Sequence, residues 1–342
     1  MTMKPKVLRI GKVHFAQEKW EQFGKTVEVV QCESTTREEF IADLQGKYND
    51  VTHITRTFHS LEQTGRFDEE LVQHFPKSVQ TVSHCGAGYD QVDVEPLTKR
   101  NIQLSNVTRP VESPTADTAI YLILSTLRNY QVGHNGMKEW PNKAGGGAQL
   151  GRSPESQTIG ILGLGGIGKA IGKRLVPFGF KKVIYHNRGR VDPELENGAE
   201  FVSYEELLTT SDIICISIPL NAETRHSIDN DAMAKMKRGV ILINTARGAI
   251  INEQHLIENL KSGQVGKFGS DVFEHEPNVP HELIDMEQVV SLPHMGTYSV
   301  DATRNMEEWV VDNVECHLKT GKVKTIVPEQ QGLEFDHEPL FK

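Results

Sequence analysis

The sequence predicts an α/β protein made of two Rossmann-like domains, each built on a doubly wound parallel sheet. Short apolar, β-branched runs alternate with longer helical patterns through almost the whole chain, which is typical of parallel sheets covered by helices on both faces. The chain has 342 residues, and one hydrophobic core rarely serves a chain of that length. A glycine-rich turn at residues 163–168 opens the second alternating series, which identifies that series as the Rossmann type.

The first alternating series precedes a long helix and a loop. Its predicted strands are residues 7–10, 27–31, 52–55 and 79–83, and its predicted helices are residues 36–44 and 67–75. A mostly apolar helix is predicted over residues 114–128, a pattern typical of a buried position between elements. The Gly-rich stretch 133–154 lacks a period, and we expect a long loop there that reaches a partner subunit.

The second series predicts a six-stranded sheet with intervening helices. Its strands are residues 158–162, 183–185, 213–218, 240–243, 268–271 and 289–292. A long helix is predicted over residues 300–318, and the polar segment from residue 329 onward is expected to be a tail.

Gly163, Gly165 and Gly168 form the pattern G-x-G-x-x-G, which by itself is a weak indication of nucleotide binding. Here an apolar strand precedes the pattern and a helix follows it, and this is the context that the motif needs. The first glycine permits a tight turn, the second lets the backbone approach a pyrophosphate, and the third lets helix and strand pack closely. The N–H groups that begin the helix favour a bound anion. We therefore expect a dinucleotide here, rather than a glycine-rich turn without a ligand.

The residues that end the next strand predict which dinucleotide binds. An acidic residue there would bind the ribose 2′-hydroxyl of NAD, but the chain has Asn187 at that place, followed by Arg188 and Arg190. A guanidinium group pairs well with a 2′-phosphate. We therefore expect NADPH to be preferred and NADH to serve less well. The alternative is that the arginines are solvated surface charges.

Three polar side chains follow late strands of the second series at the carboxyl edge of the sheet, where ligands bind in such folds. They are Arg247, Glu276 and His294. Each of them alone is most often a structural residue: an arginine in an ion pair, a glutamate in a surface turn or a packed histidine. Three chemically matched groups at the expected edge favour a catalytic site.

Four motifs, in order and with matching spacing, resemble those of the D-isomer-specific 2-hydroxyacid dehydrogenase family over nearly the whole chain. They are residues 163–168, 244–248, 271–277 and 293–296. Within that family the chain most resembles the fungal reductases of glyoxylate, hydroxypyruvate and phenylpyruvate. The resemblance implies NADPH-dependent reduction of such small 2-keto acids to D-2-hydroxy acids by hydride transfer. Met295 departs from the isoleucine expected at that place, and this apolar exchange should change packing only.

The resemblance also implies a role for each polar side chain. Arg247 would bind the substrate carboxylate and keto oxygen, because a planar guanidinium suits two oxygens. His294 would be the acid–base that protonates the carbonyl oxygen, since imidazole titrates near neutral pH. Glu276 would be the partner of His294, because a nearby carboxylate favours the protonated ring.

Further ligand contacts are implied by the same resemblance. Asp271 would hold the nicotinamide carboxamide, and the backbone N–H groups of Ala87 and Gly88 would bind the substrate carboxylate together with Arg247. The remaining residues expected to contact the cofactor are Gly166, Ile167, Pro219, Thr224, Thr245 and Ala246.

The resemblance implies a discontinuous architecture and a homodimer. A substrate domain, residues 1–107 and 297–342, would flank a dinucleotide-binding domain, residues 108–296, with a cleft between the two domains.

Composition disfavours several other classes of function. The net charge of −9 disfavours a nucleic-acid partner, since phosphate backbones repel an acidic chain. No apolar run is long enough for a membrane span or has the form of a signal peptide, so we expect a cytoplasmic protein without a membrane partner. The four cysteines are widely spaced and fit no metal-binding signature, so no metal is expected.

Two alternative functions stay open. A dinucleotide-sensing corepressor would keep the same fold and the same three polar residues, and an NAD-dependent phosphoglycerate dehydrogenase would share the motifs. The missing acid after residue 185 disfavours both, because both use NAD. Turnover of NADPH with a 2-keto acid would distinguish the reductase from the corepressor.

Overall fold

The computed structural model describes residues 4–341, so Met1–Met3 and Lys342 lie outside the described residues. The chain divides into two units. The first unit runs up to Val111 and resumes at Tyr298, and the second unit spans Glu112–Thr297. The first unit is therefore assembled from two separate stretches of sequence.

Strands and helices alternate along the described chain, with short 3₁₀ turns between them. The strands are β1 (Lys6–Ile10), β2 (Glu28–Gln31), β3 (His53–Thr57), β4 (Thr81–Cys85), β5 (Gln103–Ser105), β6 (Thr158–Leu162), β7 (Lys182–His186), β8 (Glu200–Phe201), β9 (Ile213–Ile216), β10 (Val240–Asn244), β11 (Val265–Ser270) and β12 (Val289–Ser291). The helices are α1 (Gln17–Gly24), α2 (Arg37–Gln45), α3 (Leu61–Thr64), α4 (Glu69–Gln73), α5 (Val94–Lys99), α6 (Arg109–Arg128), α7 (Tyr130–Asn135), α8 (Gly166–Leu175), α9 (Tyr204–Thr210), α10 (Asn230–Lys235), α11 (Glu253–Ser262), α12 (His281–Ile284) and α13 (Val300–Thr320).

The first unit is built on a five-stranded sheet in the order β2-β1-β3-β4-β5, and every strand pair is parallel. Its central strands are almost entirely buried, because helices cover both faces of the sheet. β5 is an addition to the predicted strands. It has three residues, too few to show a period in the sequence.

The second unit is built on a seven-stranded sheet in the order β12-β11-β10-β9-β6-β7-β8, also parallel throughout. β9 and β10 are buried along their whole length, which explains why they read as continuous apolar runs. All the strands predicted for this sheet are present, and the two-residue β8 is additional. Two parallel, helix-covered sheets confirm the predicted fold class.

The prediction for the long helix was wrong at its start. α6 begins at Arg109, and Pro114 lies inside it. Proline favours the first turn of a helix, which suggested a start at Pro114. The helix continues through that position because a proline near the start removes only one backbone hydrogen bond. The predicted loop over residues 133–154 begins with the last residues of α7, and short 3₁₀ turns follow.

The segment predicted to be a tail from residue 329 onward is exposed over most of residues 331–341, but it is anchored at its start. Gln330 is buried, its Oε1 accepts the N–H of Leu104 at 2.7 Å, and its Nε2 donates to the carbonyl of Ile102 at 2.9 Å. Just before it, Ser105 and Ile326 form an antiparallel bridge. Gln330 therefore supplies hydrogen bonds at the edge strand β5.

Parallel strands place all their carboxyl ends at one edge of a sheet, so the loops that follow β6, β7, β9, β10, β11 and β12 meet at the same edge of the second sheet. The glycine turn and the three polar side chains follow these strands. Within residues 4–341, no helix combines the length and the apolar character needed to cross a membrane.

Candidate active site

The glycine turn after β6 has the backbone that a dinucleotide requires. Gly163 has φ +100°, in the left-handed region that favours glycine. A Cβ on Gly168 would lie 2.0 Å from the Gly163 carbonyl oxygen, so only glycine lets α8 approach the turn this closely. Gly165 faces open space, and α8 begins beside it, at Gly166 and Ile167, without a side-chain cap. The first N–H groups of α8 therefore suit a phosphate.

Asn187, at the end of β7, is bound to the glycine turn. Its Oδ1 accepts the N–H of Leu164 at 2.7 Å. Arg188 beside it is exposed, whereas the Nε of Arg190 donates to Glu196 Oε1 at 2.8 Å. The expectation of a 2′-phosphate contact therefore rests on Arg188 and on the amide of Asn187 more than on Arg190.

Two further loops at this edge carry the other residues expected at the cofactor. After β9, Thr224 Oγ1 donates to the carbonyl of Pro219 at 2.7 Å, which closes that loop. After β10, the hydroxyl of Thr245 is buried and finds no hydrogen-bond partner among the described residues. The N–H of Ala246 donates to Asn244 Oδ1 at 3.0 Å. A buried hydroxyl without a partner is unfavourable unless a ligand supplies one, so this edge fits a nicotinamide dinucleotide.

Hydrogen bonds hold the backbone carbonyl groups at Arg247 and at the residue before it. Asn244 Nδ2 donates to the Arg247 carbonyl at 2.9 Å, and Arg247 Nη1 donates to the carbonyl of Ala246 at 2.8 Å. The next residue, Gly248, packs on the backbone of Phe273, and a Cβ there would lie 1.9 Å from the Phe273 carbonyl carbon. The loops after β10 and β11 are therefore positioned by direct backbone contact.

His294 and Glu276 form a hydrogen-bonded pair at neighbouring strand ends. His294 Nδ1 lies 2.7 Å from Glu276 Oε2, and about a third of each side chain is exposed, 33% and 28%. The other oxygen of Glu276 accepts the N–H of Phe273 at 2.8 Å. Burial alone would raise the pKa of Glu276, but the hydrogen bond and charge of His294, together with the Phe273 N–H and the charge of Arg247, hold this pKa below its usual value. Glu276 is therefore a carboxylate near neutral pH, and it favours the protonated imidazole.

Asp271 fixes the backbone that presents His294. Its buried carboxylate accepts the N–H groups of Met295 and Gly296, both at 2.7 Å, and its carbonyl accepts the N–H of His294 at 2.8 Å. Burial raises the pKa of Asp271. The sequence did not predict that Asp271 orients this loop, because the role depends on contact between the ends of β11 and β12. Each carboxylate oxygen keeps a further lone pair, so a contact with a carboxamide is compatible with this role.

In the first unit, the loop after β4 has two of its carbonyl groups tied to neighbouring side chains. Asn106 Nδ2 donates to the Ala87 carbonyl at 2.7 Å, and His84 Nε2 lies 3.0 Å from the Gly88 carbonyl. The bond to the Ala87 carbonyl orients the peptide group that carries the Gly88 N–H. The Gly86 carbonyl accepts the N–H of Val107 at 2.9 Å, which orients the peptide group that carries the Ala87 N–H. These two N–H groups are the donors expected for a substrate carboxylate.

The chemistry of the second unit's edge is well defined. An imidazole beside a carboxylate can give or take a proton near neutral pH, and a guanidinium on the neighbouring loop can bind an anion. The glycine turn adds a site for a dinucleotide phosphate. This combination suits a redox reaction on a small anionic carbonyl compound.

Comparison with known proteins places this arrangement in a family. A model described as the D-isomer specific 2-hydroxyacid dehydrogenase, NAD binding domain, matches residues 120–296, which is more than half of the chain. The chain belongs to this dehydrogenase family.

Similar proteins match over nearly the full length of the chain. The chain is 48% identical to glyoxylate reductase 1 of Saccharomyces cerevisiae, with 99% of each chain covered. It resembles the crystal structure of a glyoxylate reductase from Paecilomyes thermophila with a TM-score of 0.92 and 40% identity, covering 97% of this chain and 100% of that one. It also resembles an NADPH-dependent glyoxylate/hydroxypyruvate reductase of Sinorhizobium meliloti, solved with NADP and malonate, with a TM-score of 0.82 and 30% identity, covering 95% and 97%.

Membership in the dehydrogenase family confirms the predicted class of activity. The protein is an oxidoreductase of 2-keto and 2-hydroxy acids that uses a nicotinamide dinucleotide. The corepressor alternative loses its support, because the full-length relatives are enzymes.

Proposed function

We propose that the protein is an NADPH-preferring reductase of small 2-keto acids, with glyoxylate and hydroxypyruvate as its first candidates and phenylpyruvate as a larger one, and that chiral products are D-2-hydroxy acids. The observation that carries this proposal is the His294–Glu276 pair, 2.7 Å apart, at the edge that also presents Arg247. The similar reductases named above support the choice of substrates.

The proton for the carbonyl oxygen comes from His294. When bound, the reduced nicotinamide supplies the hydride. Glu276 accepts the Nδ1–H of His294, so the ring offers its Nε2 proton to the oxygen that becomes the hydroxyl. The same carboxylate stabilises the positive charge on the ring before the proton leaves.

The substrate is oriented by its own carboxylate. Arg247 presents a planar fork that binds an oxygen pair and polarises the carbonyl, and its backbone is fixed by Asn244. In the first unit, the N–H groups of Ala87 and Gly88 are proposed donors to a substrate carboxylate. Asp271 orients the loop that presents His294 and keeps its proposed contact with the nicotinamide carboxamide.

NADPH is favoured by the chemistry at the end of β7. Arg188 offers a cation and Asn187 offers an amide where an NAD enzyme has a carboxylate, so a 2′-phosphate meets attraction instead of repulsion. The contacts of the glycine turn and of Pro219, Thr224, Thr245 and Ala246 would serve either dinucleotide.

A second copy of this chain is the proposed partner. Large apolar side chains are exposed on α6, α7 and the loop that follows, namely Tyr121, Tyr130, Met137, Trp140 and Leu150. An exposed apolar cluster of this kind is typical of an interface. Equilibrium sedimentation is expected to give a dimer, and Trp140→Ser combined with Leu150→Ser is expected to raise its dissociation constant. A wild-type monomer would contradict this part of the proposal.

A kinetic panel tests the substrate and the cofactor together. Glyoxylate, hydroxypyruvate, pyruvate and phenylpyruvate are each measured with NADPH and NADH. We expect the largest kcat/KM with NADPH and one of the two smaller candidate acids. Chiral chromatography of the hydroxypyruvate product is expected to show the D form, and an L product would overturn the stereochemical assignment.

His294→Ala tests the catalytic pair. Loss of the proton donor is expected to lower kcat by about 10²–10⁴-fold, with the NADPH dissociation constant nearly unchanged. Glu276→Gln, which keeps the volume and removes the charge, should fall between wild type and His294→Ala. Steady-state kinetics and NADPH fluorescence titration measure the two effects separately. Turnover that survives in His294→Ala would remove this residue from the mechanism.

A further inference from the structure

A second histidine–carboxylate pair lies in the second unit. His226 is in the loop between β9 and α10, and its Nε2 lies 2.6 Å from Glu274 Oε1. The Glu274 side chain is 14% exposed and that of His226 is 37% exposed. His226 lies outside the four motifs, whereas Glu274 lies within the motif 271–277, two residues before Glu276, and has no role assigned by the sequence.

Glu274 is also bound to the start of α11. Its Oε2 accepts the N–H of Glu253 at 3.4 Å, and its own N–H donates to Glu253 Oε2 at 3.2 Å. The N–H of His226 donates to the Ala249 carbonyl at 2.8 Å. The His226–Glu274 pair therefore joins the loops after β9, β10 and β11. These loops carry Thr224, Arg247 and Glu276 respectively.

The backbone of His226 is as unusual as that of His294. The two residues have φ values of +54° and +52°, in the left-handed region that non-glycine residues seldom adopt. Each ring is bonded to a carboxylate of the same short loop, His226 to Glu274 and His294 to Glu276. Glu274 and Glu276 are alternate residues of the loop after β11, and each is bonded to a histidine from a different loop, so the loop after β11 is held from both sides.

Backbone contacts connect the His226–Glu274 pair, called the outer pair, to the His294–Glu276 pair, called the inner pair. Glu276 Oε1 is oriented by the N–H of Phe273, which directly precedes Glu274 in the chain. Gly248 packs against the peptide between Phe273 and Glu274, so a shift at Glu274 is transmitted to the donor that holds Glu276.

We propose that His226 and Glu274 are positioning residues, which hold the loop after β11 so that Glu276 faces His294. They touch neither substrate nor cofactor in this assignment. The inference rests on the proposed catalytic roles of Glu276 and His294. Its consequence is that the outer pair governs how strongly the Glu276 carboxylate favours the protonated His294 ring.

Other charged groups face the His226–Glu274 and His294–Glu276 pairs, and they are unchanged in variants of Glu274 and His226. Glu253 faces Glu274, and burial together with the Glu274 charge raises the pKa of Glu253, opposed by its hydrogen bond to the Glu274 N–H and by the charge of His275. Asp271 and Arg247 contribute charge at Glu276.

The test compares Glu274→Ala with Glu274→Gln. Alanine removes the side-chain hydrogen bonds of Glu274 to His226 and to the Glu253 N–H. We expect kcat to fall by about 10–100-fold, because a small displacement of a catalytic group lowers the rate strongly, while the NADPH dissociation constant changes little. Glutamine keeps the volume and can still hydrogen bond, so it should restore part of the lost kcat. His281→Asn is the matched control, since His281 pairs with Asp285 on an exposed helix of the same unit.

The pH profile separates positioning from a loss of stability. Reduction needs a protonated His294, so the alkaline limb of kcat/KM reports the loss of that proton. A displaced Glu276 favours this proton less, and the limb of Glu274→Ala should move to lower pH by about half a unit or more. A residue that only stabilises the fold would lower the melting temperature and leave the limb in place, which would overturn the inference.

His226→Asn is the second variant, in case Glu274→Ala does not fold. Asparagine tolerates the left-handed backbone and removes the imidazole, so the same limb shift is expected. Glu276→Gln and His294→Ala are measured alongside. If those two leave turnover intact, the proposed function fails. If they lower turnover while His226→Asn and Glu274→Gln match wild type in kcat and pH profile, only the positioning inference fails.

Discussion

At the scale of single residues, one amide links the glycine turn to cofactor choice. Asn187 Oδ1 accepts the Leu164 N–H, and an aspartate at this position would accept the same hydrogen bond while adding a negative charge. Asn187→Asp therefore changes the charge next to the ribose without removing the bond that holds the turn.

The double change Asn187→Asp with Arg188→Ala is expected to reverse the dinucleotide preference. A charge-assisted hydrogen bond to a 2′-phosphate contributes about 1.5–3 kcal/mol, so kcat/KM with NADPH should fall by about 10–100-fold, while kcat/KM with NADH rises. Arg190→Ala is the control, since Glu196 already holds that guanidinium, and it should preserve the preference. A wild-type enzyme that works equally well with NADH would contradict the assignment.

Arg247→Lys is expected to be severe although the charge is kept. An ammonium is a point donor and cannot bind two oxygens in one plane. We expect a higher KM for the 2-keto acid and a lower kcat, each by about 10-fold or more, measured by steady-state kinetics at saturating NADPH. Arg238→Lys is a suitable comparison, because Arg238 donates a single bond to the Ser262 carbonyl. An unchanged KM in Arg247→Lys would argue against carboxylate binding.

The sequence predicted that Arg247, Glu276 and His294 lie at the carboxyl edge of the second sheet, because each follows a strand within a recognisable motif. It could not predict the pairing of Arg190 with Glu196 or of His226 with Glu274. The first depends on the path of the loop after β7. The second joins residues 48 positions apart, and only the strand order of the sheet brings them together.

At the scale of elements, buried central strands were predictable and edge elements were not. β9 and β10 are long apolar runs, whereas β5 and β8 have three and two residues and show no period. The start of α6 was predicted wrongly at Pro114, because the preference of proline for a first helical turn is statistical and this helix begins at Arg109.

The contact between the loops after β10 and β11 depends on Gly248. A Cβ at this position would lie 1.9 Å from the Phe273 carbonyl carbon, so Gly248→Ala must separate the two loops. We expect a loss of about 1–3 kcal/mol in the free energy of unfolding, together with lower turnover, measured by urea denaturation and kinetics. Gly189→Ala is the matched control, since the space around its Cα is open. Wild-type stability and turnover in Gly248→Ala would show that the contact is dispensable.

At the scale of the whole molecule, a row of histidines ties three separate parts of the first unit together. His53 Nε2 lies 3.0 Å from His317 Nδ1, and His317 Nε2 lies 2.9 Å from His337 Nδ1. The row connects β3 and α13 to the C-terminal segment. Burial, and then the neighbouring His337, lowers the pKa of His317 from 6.5 to about 4. Burial also lowers the pKa of His53 and of His337. For His337, the hydrogen bond to the Asn101 backbone and the charge of Asp336 raise the pKa but do not outweigh burial.

This row makes stability depend on pH. The unfolded chain binds protons on these histidines at a higher pH than the native chain, so stability is full above pH 6.5 and falls as the pH drops toward 4. His317 alone accounts for up to about 3 kcal/mol of that loss. Urea unfolding measured between about pH 8 and about pH 5 should show the slope. His317→Gln should reduce the slope of the free energy of unfolding against pH, whereas His281→Gln, at an exposed site, should leave it unchanged. Equal slopes in the wild type and both variants would contradict this effect of the histidine row.

The discontinuous first unit has a consequence for the order of events during synthesis. Residues up to Val111 leave the ribosome before the second unit, yet α13, which packs on β4, and Gln330, which completes the hydrogen bonds of β5, appear only after it. The second unit is contiguous and can finish folding earlier. The first stretch of the first unit must therefore wait, with part of its apolar sheet uncovered, until the second unit and residues 298–330 have been made. We expect this waiting interval to be the stage at which the nascent protein depends most on chaperones.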